Sequence, residues 1–211
     1  GKHLGYAADS AREPLAARFY DARFSVDRSL HAVIRNRRLA AAALGYSPDA
    51  PLDYGVTPPT IDAAWLPGGE TAVLLTATSR DDKLWAEEHW ISLGRELADR
   101  GLSPVLPAGN AVERARAARI ASAVPGAVAA PALSIRELAG IIGRAAIAIG
   151  VDTGLAHLAT ALRVPTIALY TATDPALTGV LGAGFFRNLG GIGQSPAVSG
   201  VLSAVEEALD T

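Results

Sequence analysis

Ala145-Ala146-Ile147-Ala148-Ile149-Gly150-Val151-Asp152-Thr153-Gly154-Leu155-Ala156-His157-Leu158 decides the fold. Its first half is an unbroken apolar run rich in isoleucine, the pattern of a strand covered on both faces, and its second half opens a helix. An acid, a hydroxyl and a glycine stand at the junction. Such junctions lie at the carboxyl ends of strands, where open α/β sheets bind their ligands. The first-turn N–H groups and the helix dipole favour an anion there. Asp152 can take a sugar hydroxyl or an N–H, and Thr153 can cap the helix or reach a phosphate oxygen. His157 lies one turn beyond Thr153 on the same helical face. Simple capping by Asp152 and Thr153, with His157 filling a polar corner, explains the same residues without a ligand.

Outward from this junction, strands are predicted at 72–76, 103–106, 127–130, 145–151 and 166–170. Helices are predicted at 86–99, 111–122, 134–144, 153–162 and 202–209. Strands separated by helical segments imply a parallel sheet with right-handed crossovers, five strands wide. In helix 86–99, Ala86, Trp90, Leu93 and Leu97 recur on one face, so Trp90 reads as a packing group, as does Trp85 just ahead of it. Gly94 should cost this helix about 1 kcal/mol relative to alanine, and Gly101 reads as its C-terminal cap.

The region before residue 46 differs. It carries Arg12, Arg18, Arg23, Arg28, Arg35, Arg37 and Arg38 and a predicted helix over 29–44, with no strand predicted ahead of it. That is the pattern expected of the trailing part of a larger domain. Residues 46–69 are rich in proline and glycine and read as a connector. The expected division is therefore 1–64 and 65–211.

Composition narrows the function. A formal charge of -2 gives no broad basic field, so nucleic acid is not expected as a partner. The longest apolar runs are too short or too broken to span a bilayer as a helix. The chain has no cysteine, which excludes disulfides and thiolate metal sites, and its histidines lack metal-ligand spacing. Methionine is also absent, so residues are expected ahead of Gly1, or internal methionines have been lost.

Three more loops sit at predicted strand ends. In Ala77-Thr78-Ser79-Arg80-Asp81-Asp82-Lys83-Leu84-Trp85, Thr78 and Ser79 can donate to phosphate oxygens and Lys83 can approach as a mobile point charge. Arg80 can instead hold the loop closed. Asp81 and Asp82 are adjacent and diverge, poor geometry for a shared metal. In Leu106-Pro107-Ala108-Gly109-Asn110-Ala111-Val112-Glu113, the glutamate falls in the first helical turn, where the dipole favours a carboxylate and two ribose hydroxyls could be received. Pro131-Ala132-Leu133-Ser134 offers an apolar slot suited to a purine. Tyr170-Thr171-Ala172-Thr173-Asp174-Pro175 can form a further wall or brace the site through Asp174, or make only an Asx turn. No Gly-x-Gly-x-x-Gly or Walker loop occurs, and Gly190-Gly191-Ile192-Gly193 has no predicted strand to serve it.

Taken together, Thr78-Ser79-Arg80-Asp81-Asp82-Lys83-Leu84-Trp85, Glu87-Glu88-His89-Trp90 and Val151-Asp152-Thr153-Gly154-Leu155-Ala156-His157-Leu158 resemble the paired signatures of the lipopolysaccharide heptosyltransferase I group within glycosyltransferase family 9. Ser10-Ala11-Arg12-Glu13-Pro14-Leu15-Ala16, Phe19-Tyr20 and Thr173-Asp174-Pro175 add to the resemblance, which extends over nearly the whole chain. It implies a GT-B glycosyltransferase with a Rossmann-like C-terminal donor domain and an N-terminal acceptor domain incomplete in this chain. It also implies inverting transfer of L-glycero-D-manno-heptose from ADP-heptose to the Kdo of Kdo2-lipid A. The enzyme would need no cofactor or metal, release ADP, and work in the cytoplasm as a peripheral protein of the inner membrane.

By the same resemblance, Thr78, Ser79 and Lys83 bind the diphosphate and nearby donor oxygens, Glu113 the ribose, and Leu133 lies by the adenine. Asp152, Thr153, Gly154 and His157 form the phosphate and sugar side. Lys83 and Asp152 are the catalytic candidates. Leu133 stands where methionine is familiar in the group, keeping apolar contact without the thioether. The general base is expected upstream of Gly1, and Arg12 is a candidate for holding an anionic acceptor. Another ADP- or UDP-sugar transferase, a non-catalytic nucleotide-sugar module and a purely structural α/β domain are the competing readings.

Overall fold

The computed structural model describes residues 1–211. The chain divides into two compact units, Gly1–Pro51 with Ala176–Gly179, and Leu52–Pro175 with Val180–Thr211.

In the first unit, β1 (Leu4–Tyr6) and β2 (Ala22–Phe24) pair in parallel, joined through a 3-10 turn at Pro14–Phe19. They precede α1 (Ala32–Leu44), correcting the expectation that no strand comes before this helix. Each strand is three residues long, too short to produce a readable alternation. Helix α1 starts three residues later than predicted because His31 takes the N-cap, its Nδ1 accepting from the Val33 N–H at 3.2 Å. Gly45, at φ +74°, ends it in the left-handed conformation. Arg35 ties the helix to the preceding loop by donating to the Ser10 carbonyl at 2.7 Å.

The second unit contains β3 (Thr71–Leu75), α2 (Glu87–Asp99), β4 (Ser103–Leu106), α3 (Ala111–Ser122), β5 (Val128–Ala129) and α4 (Ile135–Ile142). Then come β6 (Ile147–Val151), α5 (Gly154–Ala161), β7 (Thr166–Tyr170), the single turn α6 (Pro175–Thr178), β8 (Phe186–Gly190) and α7 (Val198–Leu209). The sheet is parallel throughout, in the order β5-β4-β3-β6-β7-β8. Chain order reverses direction between β3 and β6, the crevice where a Rossmann-like sheet binds nucleotides.

The sheet has six strands rather than five. Strand β8 was hidden because Phe186-Arg187-Asn188-Leu189-Gly190 lies at the edge and none of its residues is fully buried. It also places a strand directly ahead of the glycine run at 190–193, against the expectation that no strand serves it. By contrast β3, β6 and β7 are buried at every position, which explains their continuous apolar sequence.

One face of the sheet is covered by a cluster including Trp85, Trp90, Leu93, Leu97, Ile120, Val201 and Val205, the other by Ile141, Ile142, Ala156 and Ala159. Gly94 has a packing reason: a Cβ there would lie 3.0 Å from Val124, so its absence lets α2 approach the segment after α3. Gly101, at φ +83°, completes a Schellman closure in which Leu102 N–H donates to the Leu97 carbonyl and Gly101 N–H to that of Ala98.

The connector divides earlier than at 64/65, between Pro51 and Leu52. Its later residues are part of the second unit because Ile61, Trp65 and Leu66 pack on the core cluster containing Ile141 and Ile142. Helix α4 and its C-cap each present a glycine to this segment: a Cβ on Gly140 would meet Ile61 at 2.6 Å, and one on the C-cap Gly143 would meet Pro58 at 2.2 Å.

Candidate active site

A cleft of about 290 Å³ opens at the carboxyl ends of β3, β4 and β6. Its wall comprises Thr78 and Ser79 after β3, Pro107, Ala108, Gly109 and Glu113 around the β4–α3 turn, Leu133 and Leu138 at α4, and Thr153 and Leu155 at α5. Five residues named from the sequence therefore meet in one place: Thr78, Ser79, Glu113, Leu133 and Thr153. Leu75, Leu138 and Leu155, which the sequence does not mark as site residues, join Leu133 in the apolar lining. Leu155 directly follows the junction glycine, and Leu138 lies in the first half of α4, just beyond the loop that carries Leu133.

Lys83 and Asp152 stand beside this cleft rather than in its wall. Lys83 Nζ donates to Asp152 Oδ2 at 2.8 Å, with 16% and 13% of the two side chains exposed. The same oxygen accepts from Thr173 Oγ1 at 2.7 Å. Thr78 Oγ1 donates to the Asp152 backbone carbonyl at 2.9 Å, linking the two strand ends that flank the sheet's switch point. Its hydroxyl proton is thus engaged within the protein, while Ser79 is exposed on the cleft wall. Nothing in the local sequence marks the Thr173 hydroxyl for this contact, which spans 21 positions.

At α5 the side chain of Thr153, the N-cap residue, makes no capping hydrogen bond. The residue is part of the cleft wall. Gly154 opens the helix in free space, with nothing within 4 Å of where a Cβ would stand. That leaves the backbone of the first turn open to close approach, the arrangement that suits a phosphate. His157 is partly buried one turn further along α5, outside the cleft wall.

Glu113 forms a closed local system. Its Oε2 accepts from Gly109 N–H at 2.7 Å, its Oε1 from Asn110 Nδ2 at 2.7 Å, and its own N–H donates to Asn110 Oδ1 at 2.9 Å. Carboxylate and amide together cap α3 and fold the turn tightly. Each carboxylate oxygen retains lone pairs that can accept sugar hydroxyls.

The Lys83 loop is held quite differently. Arg80 is engaged with Asp82, with one bond from Nε at 3.0 Å, as the loop-closing reading expected. Trp85 is buried, donates from Nε1 to the Pro196 carbonyl at 2.9 Å, and meets Trp90 edge-on at 5.0 Å between ring centroids. Arg116 donates to the Trp85 carbonyl and lies 3.9 Å from Glu87. Burial pushes the Arg116 guanidinium below its ordinary pKa, while the Arg119 hydrogen bond holds Glu87 below the usual glutamate value.

Residues 1–199 match the family described as glycosyltransferase family 9 (heptosyltransferase). The chain belongs to this family. It is 42% identical over 179 residues to lipopolysaccharide heptosyltransferase 1 of Pseudomonas aeruginosa, an alignment covering 84% of this chain and 50% of that protein. Among solved structures, the Escherichia coli heptosyltransferase WaaC with ADP shares 38% identity at a TM-score of 0.82, covering 97% of this chain and 65% of that one. The same enzyme with ADP-2-deoxy-2-fluoro heptose gives 36% identity and a TM-score of 0.80, covering 96% and 64%. The chain thus spans half the length of the Pseudomonas relative and about two thirds of the WaaC chains. The GT-B type of α/β fold expected for family 9 agrees with this match and with the parallel sheet.

Proposed function

We propose that this chain is the donor-binding portion of an inverting heptosyltransferase that transfers L-glycero-D-manno-heptose from ADP-heptose to the Kdo of Kdo2-lipid A. The observation that carries the reading is the meeting of Thr78, Ser79, Glu113, Leu133 and Thr153 at the switch point of a Rossmann-ordered sheet, with the Lys83–Asp152 pair alongside. Adenine would lie among Leu133, Leu138 and Leu155, ribose against Glu113, and the diphosphate between Ser79, Lys83 and the α5 N-terminus. The heptose would lie toward Asp152 and His157.

In the reaction the acceptor hydroxyl attacks the anomeric carbon as its bond to the diphosphate oxygen breaks, and ADP departs with the bonding electron pair. Lys83 and the first turn of α5 stabilise the negative charge that grows on the diphosphate. The proton of the acceptor hydroxyl goes to a general base that no residue of this chain is assigned to supply. Arg12, exposed in the first unit, is a candidate contact for an anionic acceptor. No helix is long and apolar enough to cross a membrane. A peripheral position on the cytoplasmic face of the inner membrane accords with a nucleotide-sugar donor and a lipid acceptor.

Calorimetric titration with ADP, UDP and ADP-heptose tests the reading. ADP and ADP-heptose should bind in preference to UDP, and Lys83→Ala should weaken both. Equal binding of ADP and UDP would instead point to a transferase of different donor choice.

A further inference from the structure

Lys83 and Asp152 are separated by 69 positions in sequence, and the flexible stem of a lysine carries no preferred direction of its own. Its orientation must come from what holds its partner. Asp152 is fixed through its N–H, which donates to the Leu169 carbonyl at 3.0 Å, and through its carbonyl, which accepts from Thr78. The carboxylate itself is held by Thr173 Oγ1 at 2.7 Å, on the very oxygen that meets Lys83. From the same loop Thr171 Oγ1 donates to the Asp82 carbonyl at 2.7 Å, pinning the backbone next to Lys83. Both ends of the ion pair are therefore referenced to the segment that follows β7, a strand buried at every position.

We propose that Thr173, assisted by Thr171, is a positioning residue that sets the direction of the Lys83 ammonium toward the donor diphosphate. Threonine suits the task because its branched Cβ restricts χ1, so the hydroxyl sits in few places. With that hydroxyl bound, the Asp152 carboxylate cannot turn freely about its terminal torsion. Lys83 then directs one N–H to a fixed oxygen and keeps the others for phosphate oxygens. Without it the carboxylate rotates, the ammonium follows, and the charge no longer meets the ligand in one geometry. The inference rests on the proposed placement of the diphosphate against Lys83.

The test is calorimetry of ADP binding to the 211-residue chain and its Thr173→Val, Thr173→Ser, Lys83→Ala and Lys83→Ala/Thr173→Val variants. Valine keeps the shape and removes the hydroxyl. Thr173→Val should weaken ADP about tenfold, the scale of a lost charge-assisted hydrogen bond, and Thr173→Ser should stay within about twofold. In the Lys83→Ala background the valine substitution should change affinity by less than about twofold, since no ammonium remains to be placed. Undiminished affinity in Thr173→Val, or the same loss in both backgrounds, overturns the proposal and leaves Thr173 a structural tie. Failure of the underlying reading looks different: Lys83→Ala then binds ADP as tightly as the parent chain. Should Thr173→Val not fold, Thr171→Val carries the same comparison, with a smaller loss expected that again disappears when Lys83 is alanine.

Discussion

Two loops flank the cleft and are built on opposite principles. The turn after β4 closes on itself: Gly109, Asn110 and Glu113 satisfy one another over a few residues. The loop after β3 is held almost entirely from elsewhere, by Asp152 through Thr78 and Lys83, by Thr171, by Arg116 and by Pro196. The first arrangement gives a rigid carboxylate that needs nothing but its own turn. The second gives a charge whose position depends on four other segments of the chain, which is where a change outside the cleft can alter binding inside it.

The sharpest break of this contrast is Trp85→Ala. Trp85 is buried against Trp90 and bonded to Pro196, so its removal empties core volume at the end of the tied loop. A loss of about 3–5 kcal/mol is expected from large-to-small core substitution, read by urea unfolding, with weaker ADP binding in whatever fraction stays folded. A cost below about 1 kcal/mol, within the range of unremarkable substitutions, would show that the loop is held by its polar ties alone.

Next in size is the pair Asp152→Ala and Asp81→Ala. Removing Asp152 leaves the mostly buried Lys83 ammonium without its carboxylate, whereas Asp81 is exposed. ADP affinity should fall about tenfold or more in the first and by less than about twofold in the second. Equal losses would mean that the diphosphate does not lie on the Lys83 side of the cleft.

The same contrast explains what the sequence made legible. Strands buried on both faces, such as β6, were readable as continuous apolar runs, and the helices by their period. The cleft-lining roles of Glu113 and Thr153 followed from their places at helix starts, which are local facts. Nothing local marks Thr173 as the partner of Asp152, or Arg116 as that of the Trp85 carbonyl, because neighbours across a parallel sheet are distant in the chain. Strand β8 escaped for a related reason: at the edge it needs no apolar alternation, and Asn188 bonds both the N–H and the carbonyl of Val180 at 3.0 and 2.9 Å.

The self-closed turn should respond mildly and locally. Asn110→Ala removes the acceptor for the Glu113 N–H and the donor to its carboxylate, at a cost of about 1 kcal/mol typical of an N-cap. ADP binding should weaken only as far as Glu113 loses its fixed orientation, and restoring the cap with Asn110→Asp should recover stability while returning less of the binding, since aspartate cannot donate to Glu113. Complete recovery of both would show that the amide donor to the carboxylate is immaterial.

The smallest expected effect lies at α4, which is closed locally like the turn after β4. Ser134 and Glu137 cap one another, the side chain of Glu137 accepting from the Ser134 N–H and hydroxyl at 2.7 Å. These bonds hold the Glu137 carboxyl below its ordinary value of 4.5. A depressed folded pKa means that the unfolded chain takes up the proton first, so the contribution is fully present above 4.5 and is lost as pH falls through the lower folded value. Glu137→Gln should therefore flatten the acid limb of the unfolding profile slightly, while leaving stability near neutrality almost unchanged, because glutamine can still complete the capping box. An identical acid limb in parent and variant would show that the Glu137 charge adds nothing to the cap, and that a loop closed on itself gains its stability from geometry alone.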